Sequence, residues 1–332
     1  MKPKWHIAFC NVTYTEYGGV TYRKYYSSPA LMLKTQLAAK EYVEKRWGVG
    51  NFIAPGVEDT GGGAFSSLFG MKVIDSVEDE IPYLDTTKPV ITDVADADRL
   101  VMGNPMTSGI MEKRCKFWKY YNEHGYPVDF GGYDSDVIGV ATELTGMDVL
   151  RGMVDDPANA RRVLDIVVKA MEKLATFGAS LSGKQYTGFT YTGDDFSGLL
   201  SPAMYREFAV PCYRRLYAAN TTRFMHSELL CAEHLIIARD EVGITEFHGA
   251  GCKNVTLQEM HSIMGQRFWT QLTPQEMLGL TPHQIGERIK EFVDSGCGYI
   301  QLYPGRGTPE RNMAAAIEAC RRECTGGMHG KI

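Results

Sequence analysis

From residue 127 onward the chain repeats one unit: a short strand-like apolar run, a polar stop, then an amphipathic helix. Pro127–Phe130 opens the series, followed by a helix predicted from Asp134 to Leu144. Tyr186–Thr192 then stops at Gly193-Asp194-Asp195 and Thr222–Met225 at His226, with Glu228 just beyond. Ile244–Phe247 stops at His248, Arg267–Thr270 at Gln271, and Gly298–Leu302 at Tyr303. Asp156-Pro157 starts a long helix with Ala160, Val163, Leu164, Ile166, Val167, Ala170, Met171 and Leu174 on one stripe, and Ser201-Pro202 starts another that runs through Tyr217. Strands and helices alternating at intervals of roughly 22 to 35 residues predict parallel strands with crossover helices. Polar residues gathered at the carboxyl ends of such strands lie where α/β barrels form active sites. An open doubly wound sheet would bring a glycine-rich phosphate loop, and the sequence has neither a GxGxxG nor a Walker pattern. The expected fold is therefore α/β, a (β/α)8 TIM-like barrel, read as a single domain over residues 1–332. Residues 1–50 form an N-terminal extension, with a helix that starts at Ser27-Ser28-Pro29 and ends at Trp47-Gly48-Val49-Gly50.

Composition removes several classes of function. Hydrophobic residues at 44% and charged residues at 23% are those of an ordinary folded domain. A formal charge of -5 leaves no electrostatic footprint for nucleic acid. No stretch approaches the ~20 apolar residues that span a bilayer, and Ile7–Cys10 is too short for a signal-peptide core. The expectation is a cytoplasmic protein with neither nucleic-acid nor membrane partners. The eight cysteines form no CxxC pair. Cys320 and Cys324 share one helix face and are read as buried free thiols.

Four motifs occur in an order that resembles the uroporphyrinogen decarboxylase superfamily. Gly193-Asp194-Asp195-Phe196, Leu200 through Phe208 (LSPAMYREF) and Pro211 look like its DD…SP…F…P segment. Met225-His226-Ser227 sits where that family has an H-x-C strand end, and Gly305-Arg306-Gly307-Thr308-Pro309-Glu310-Arg311-Asn312 resembles its closing TPxEN segment. The resemblance covers roughly residues 27 to 320 and implies a distorted (β/α)8 barrel with a cleft at the strand carboxyl ends. True decarboxylases of the family need cationic anchors for a polycarboxylate substrate, including an N-terminal RQAGR stretch and a late GHG. Both are missing here, and the first arginine is Arg23.

The other branch of the superfamily transfers methyl groups to or from a corrinoid protein. Its thiol-specific members hold zinc with H-x-C and a distant cysteine. This chain has His226-Ser227-Glu228 at that place and no cysteine between Cys297 and Cys320. A harder site of His226, Glu228 and His248 remains open to zinc, since zinc accepts imidazole and carboxylate. It would suit an oxygen leaving group such as that of a methoxy compound, which departs poorly unless protonated or bound to a Lewis acid. The resemblance thus implies a methyltransferase with a corrinoid (cobalamin) on a partner corrinoid-binding protein and a small methylated donor, methoxylated aromatics first. A decarboxylase of another carboxylated substrate, or a non-catalytic tetrapyrrole-binding barrel, is the alternative.

The candidate catalytic residues are Asp194, Asp195, His226 and Glu228. Consecutive residues of a strand face opposite ways, so one aspartate of the pair is expected in the cleft and the other on loop backbone. Glu58, Trp269, Tyr303 and Arg306 are candidates for substrate binding. Gly61–Gly63 and Gly131-Gly132 are candidates for close backbone approach to a ligand.

Overall fold

The computed structural model describes residues 2–58, 63–75, 78, 80–131, 136–218 and 220–326. Eight strands are present among them: β1 Lys4–Ile7, β2 Val73–Ile74, β3 Tyr83–Leu84, β4 Tyr191–Gly193, β5 Phe224–His226, β6 Glu246–His248, β7 Phe268–Leu272 and β8 Tyr299–Leu302. β2 and β3 form a two-stranded antiparallel pair. The other six belong to one sheet in the order β1-β8-β7-β6-β5-β4, and the β1–β8, β8–β7 and β7–β6 pairs are parallel. Many helices connect them, so the α/β class with parallel strands holds.

The chain divides into two compact units. The first contains Met1–Gly56, His226–Glu228 and Glu246–Ile332; the second contains Val57–Met225 and Leu229–Thr245. In the first unit the register aligns His6 with Gln301 and Gln301 with Gln271, one step beyond a row of Trp5, Ile300 and Thr270. Register partners in a parallel pair project to the same face, and the face alternates along a strand. One face of this unit's strands therefore carries His6, Gln271, Gln301, Trp269 and His248, and the other carries Trp5, Ile7, Phe247, Phe268, Leu272, Ile300 and Leu302. The apolar row is buried as expected; the polar face is buried as well.

The helix punctuation acts as the sequence predicts. Ser28 caps the helix Pro29–Trp47 by accepting from Leu31 N, and Gly48 ends it in the left-handed region at φ 63°. Asp156 caps the 25-residue helix Pro157–Leu181, whose predicted stripe is its buried side except for half-buried Ile166. Ser201 caps the next helix, which does not run uniformly to Tyr217. It opens into a π turn over Tyr205–Ala209 before continuing as Val210–Tyr217. Pro211 cannot donate to the carbonyl of Glu207 and its ring crowds that oxygen, so the turn before it widens.

Several expectations change. The run Tyr186–Thr192 is a strand only from Tyr191, and β7 continues through Gln271 to Leu272. Pro127–Phe130 is not a strand: the Phe130 carbonyl accepts from Arg114 Nε at 2.8 Å, and its ring packs edge-on against Phe177 and Trp118. Conversely, the segment read as an N-terminal extension contains β1. Gly131, at φ 58°, has Arg114 Nη2 at 2.6 Å from where a Cβ would sit, so its close contact is with a side chain of this protein. Gly61, Gly62, Gly132, Asp59 and Asp134 lie outside the described residues.

Candidate functional site

In the first unit, His226 ends β5 and His248 ends β6. Their Nδ1 atoms lie 3.0 Å apart and their ring centroids 4.8 Å apart, so one imidazole donates to the other. His248 is buried; burial and the neighbouring His226 and His6 hold its pKa well below the ordinary histidine value. His6 is buried beside Trp269 (centroids 5.4 Å), and burial lowers its pKa to about 4 despite a hydrogen bond with Gln301. Its Nδ1 has no hydrogen-bond partner among the described residues. Gln301 Nε2 donates to Gln271 Oε1 at 2.6 Å, and Trp269 Nε1 donates to Glu246 Oε2 at 2.9 Å. Trp269 also stacks on Tyr299, 4.2 Å between centroids. Parallel strands buried on both faces normally carry apolar residues throughout. Here one face is a hydrogen-bonded network of imidazoles, amides and an indole.

A cavity of about 930 Å³ lies in the same unit, lined by Glu228, Cys252, Lys253, Gln271, Thr273 and Tyr303 among others. These residues follow the carboxyl ends of β5 to β8 or close those strands. Arg288 also lines it, with its guanidinium already engaged by Glu276 (2.9 Å) and Glu291 (2.6 Å). Capping boxes at Thr256–Glu259 and Thr273–Glu276 hold the first turns of two helices at its edge. The TPxEN-like segment serves architecture: buried Asn312 Nδ2 donates to the carbonyls of Met277 and Leu280, both at 2.8 Å, tying two helices together.

In the second unit, Asp194 follows β4 and has no exposed surface. The Tyr213 hydroxyl donates to its Oδ1 at 2.6 Å, and the hydroxyls of Tyr205 and Ser197 face the same carboxyl. Burial and then the charge of Asp136 raise its pKa well above the ordinary carboxylate value, despite these hydrogen bonds. Asp136 accepts from Gly139 N at 2.7 Å, capping the helix Val137–Thr145, and from Asp195 N (3.1 Å) and Phe196 N (3.3 Å). Of the Asp194-Asp195 pair, Asp195 is held through its backbone N, which donates to Asp136. Its partner, however, enters a tyrosine-lined core.

Among the predicted site residues, His226 and His248 come together, and Glu228 and Tyr303 line one cavity. Trp269 is buried in the strand layer. Arg306 is exposed, its guanidinium carbon 5.7 Å from the centre of the Tyr22 ring. Glu58, in the second unit, is half-buried, and its charge helps raise the pKa of Tyr121. Among the described residues, no group of three or more His, Cys, Asp and Glu side chains could hold a metal ion. As placed, His226, Glu228 and His248 do not form such a group. Sequence reasoning passed over His6, Tyr205, Tyr213 and Asp136. Tyr205 and Tyr213 are eight apart in the helix after β4, a spacing that puts both on one face and was available to find them.

No protein-family model matches the chain, and no curated protein matches it in sequence. Its structure is similar to that of a methyltransferase from Methanosarcina mazei, at 16% identity and a TM-score of 0.69, covering 97% of this chain and 94% of the other. That likeness shows a shared fold. Among the described residues, no helix is long and apolar enough to cross a membrane.

Proposed function

We propose that this chain is a corrinoid-dependent methyltransferase on a (β/α)8 barrel of the uroporphyrinogen decarboxylase-like type. It moves a methyl group from a small methylated donor, a methoxylated aromatic first, to a corrinoid-binding partner protein. The observation that carries this reading is the His226–His248 imidazole pair at two strand ends, in the unit that holds the 930 Å³ cavity lined by Glu228 and Tyr303. The fold shared with a methyltransferase supports it, and the volume suits a small organic ligand, for which pockets run from ~300 to ~1,000 Å³. When bound, a reduced corrinoid supplies the nucleophile, so the chain's own residues serve the departing oxygen.

Burial keeps His248 neutral, and His226 beside it is half-buried. His226 serves as the proton donor to the methoxy oxygen as the carbon–oxygen bond opens, and His248 fixes the orientation of its ring through Nδ1. Glu228 and Tyr303 bind and orient the donor, Gln271 adds a polar contact, and the Gln301–Gln271 and Trp269–Glu246 hydrogen bonds keep the wall in place. Asp194, neutral among its tyrosines, positions the loop after β4.

The test is anaerobic conversion of cob(I)alamin to methylcobalamin with methoxybenzoate, methylamine and methanethiol as donors. Methylation from methoxybenzoate is expected, and His226→Ala should lower kcat by about 100-fold or more, the scale of a general acid. Carbon dioxide release from a carboxylated compound, with every methyl donor inert, would replace this reading with the decarboxylase.

A further inference from the structure

A second cluster, outside the imidazole and cavity residues used above, joins a thiol to a base. Cys231 Sγ lies 3.0 Å from His234 Nδ1, and His234 Nε2 lies 3.0 Å from the carbonyl oxygen of Leu200. A carbonyl only accepts, so Nε2 carries the ring hydrogen and Nδ1 presents its lone pair to Cys231, whose backbone N also donates to it at 3.4 Å in the capping box of the helix Ala232–Ile237. Burial holds the His234 pKa below the ordinary value, which keeps it a free base at neutral pH, and the Tyr205 ring meets it edge-on at 5.2 Å. Nucleophile, base and a third group that orients the base are the parts of an activated thiol.

Burial disfavours three other thiols as nucleophiles. Burial pushes Cys212 and Cys297 up to about 12, and Cys115 is also raised. Cys231 is half-buried. Its surroundings select the reagent: Leu229 and Ile236 are exposed apolar side chains on either side in sequence, and Glu233, two residues on, is exposed and anionic.

We propose that Cys231, activated by His234, is a site of reversible modification by low-molecular-weight disulfides of neutral or cationic character. His234 Nδ1 takes the thiol proton while Sγ attacks one sulfur of the disulfide. The Sγ–S bond forms as the disulfide S–S bond breaks, and the released thiolate recovers the proton from His234 and leaves as a thiol. Cys231 is oxidised to a mixed disulfide, and one half of the small disulfide is reduced.

The test uses the full chain and cystamine, with the mixed disulfide mapped by peptide mass spectrometry over time. Cys231 is expected to react at least tenfold faster than Cys10 and Cys252, which are also partly exposed. Because the proton moves within the pair, its rate should change less than threefold per pH unit between pH 6 and 8. His234→Gln should slow Cys231 at least tenfold and leave Cys10 and Cys252 unchanged. Equal rates at the three cysteines, or a wild-type rate at Cys231 that climbs tenfold per pH unit as for an isolated thiol, would overturn the proposal without recourse to any variant.

Discussion

His6 makes the network on the strand face measurable as a pH dependence of stability. Burial lowers its pKa from the usual 6.5 to about 4. Between those values the unfolded chain binds a proton that the folded chain refuses, so stability is full above about pH 6.5 and falls as pH drops toward 4. With these two pKa values, the loss due to His6 between about pH 7.5 and pH 4.5 is about 2.5 kcal/mol, at 1.36 kcal/mol per unit of pKa difference. His6→Gln replaces the imidazole with a group that does not titrate yet still hydrogen-bonds Gln301. Urea unfolding of both proteins at the two pH values isolates this contribution, and Trp269 beside His6 gives a local fluorescence signal. The variant should lose about 2.5 kcal/mol less than the wild type on acidification. His248 is depressed in the same direction and should keep part of the acid sensitivity in both proteins. An unchanged acid-side loss in His6→Gln would refute the idea that a buried neutral imidazole stands at this position.

Further outcomes follow from the same contacts. Asp194→Asn keeps a neutral partner for Tyr213. Because the carboxyl's raised pKa makes the wild type lose stability as pH rises, the variant should equal or exceed it at pH 8 in thermal melts. Asp194→Ala removes the shorter of the two acceptors of the Tyr213 hydroxyl, which keeps the Gly193 carbonyl at 3.1 Å, and should cost about 0.5–1.5 kcal/mol in the same assay. Gly198→Ala would put a Cβ 2.5 Å from the Leu229 carbonyl oxygen and 2.6 Å from its carbon. Because backbone must move, a loss of about 1–3 kcal/mol on denaturant titration is expected. Glu228→Gln should raise KM for the methyl donor severalfold with kcat nearly kept, since Glu228 lines the cavity and is assigned to binding. A fall in kcat alone would move Glu228 into the chemical step.

Much of the architecture was legible because it is written locally. Ser28-Pro29, Asp156-Pro157 and Thr281-Pro282 each combine a side-chain acceptor with a preset φ, and all three start helices at those residues. The strand ends at His226 and His248 were legible because apolar β-prone runs stop there. β1 was not: pairing with β8 makes it a strand. The π turn at Tyr205–Ala209 was equally hidden, because a widened turn shows only once the chain has gone around Pro211.

By itself the sequence determined where several helices begin, that strands end near His226 and His248, and that imidazole and carboxylate groups follow such strands. Tertiary structure alone decided which groups meet. Register places His6 among the amides of β7 and β8, strand pairing sets the imidazoles of His226 and His248 3.0 Å apart, and burial turns Asp194 inward to Tyr213. The physical reason is range. Capping and φ preferences act within four residues, whereas desolvation and side-chain pairing depend on neighbours tens to hundreds of positions away.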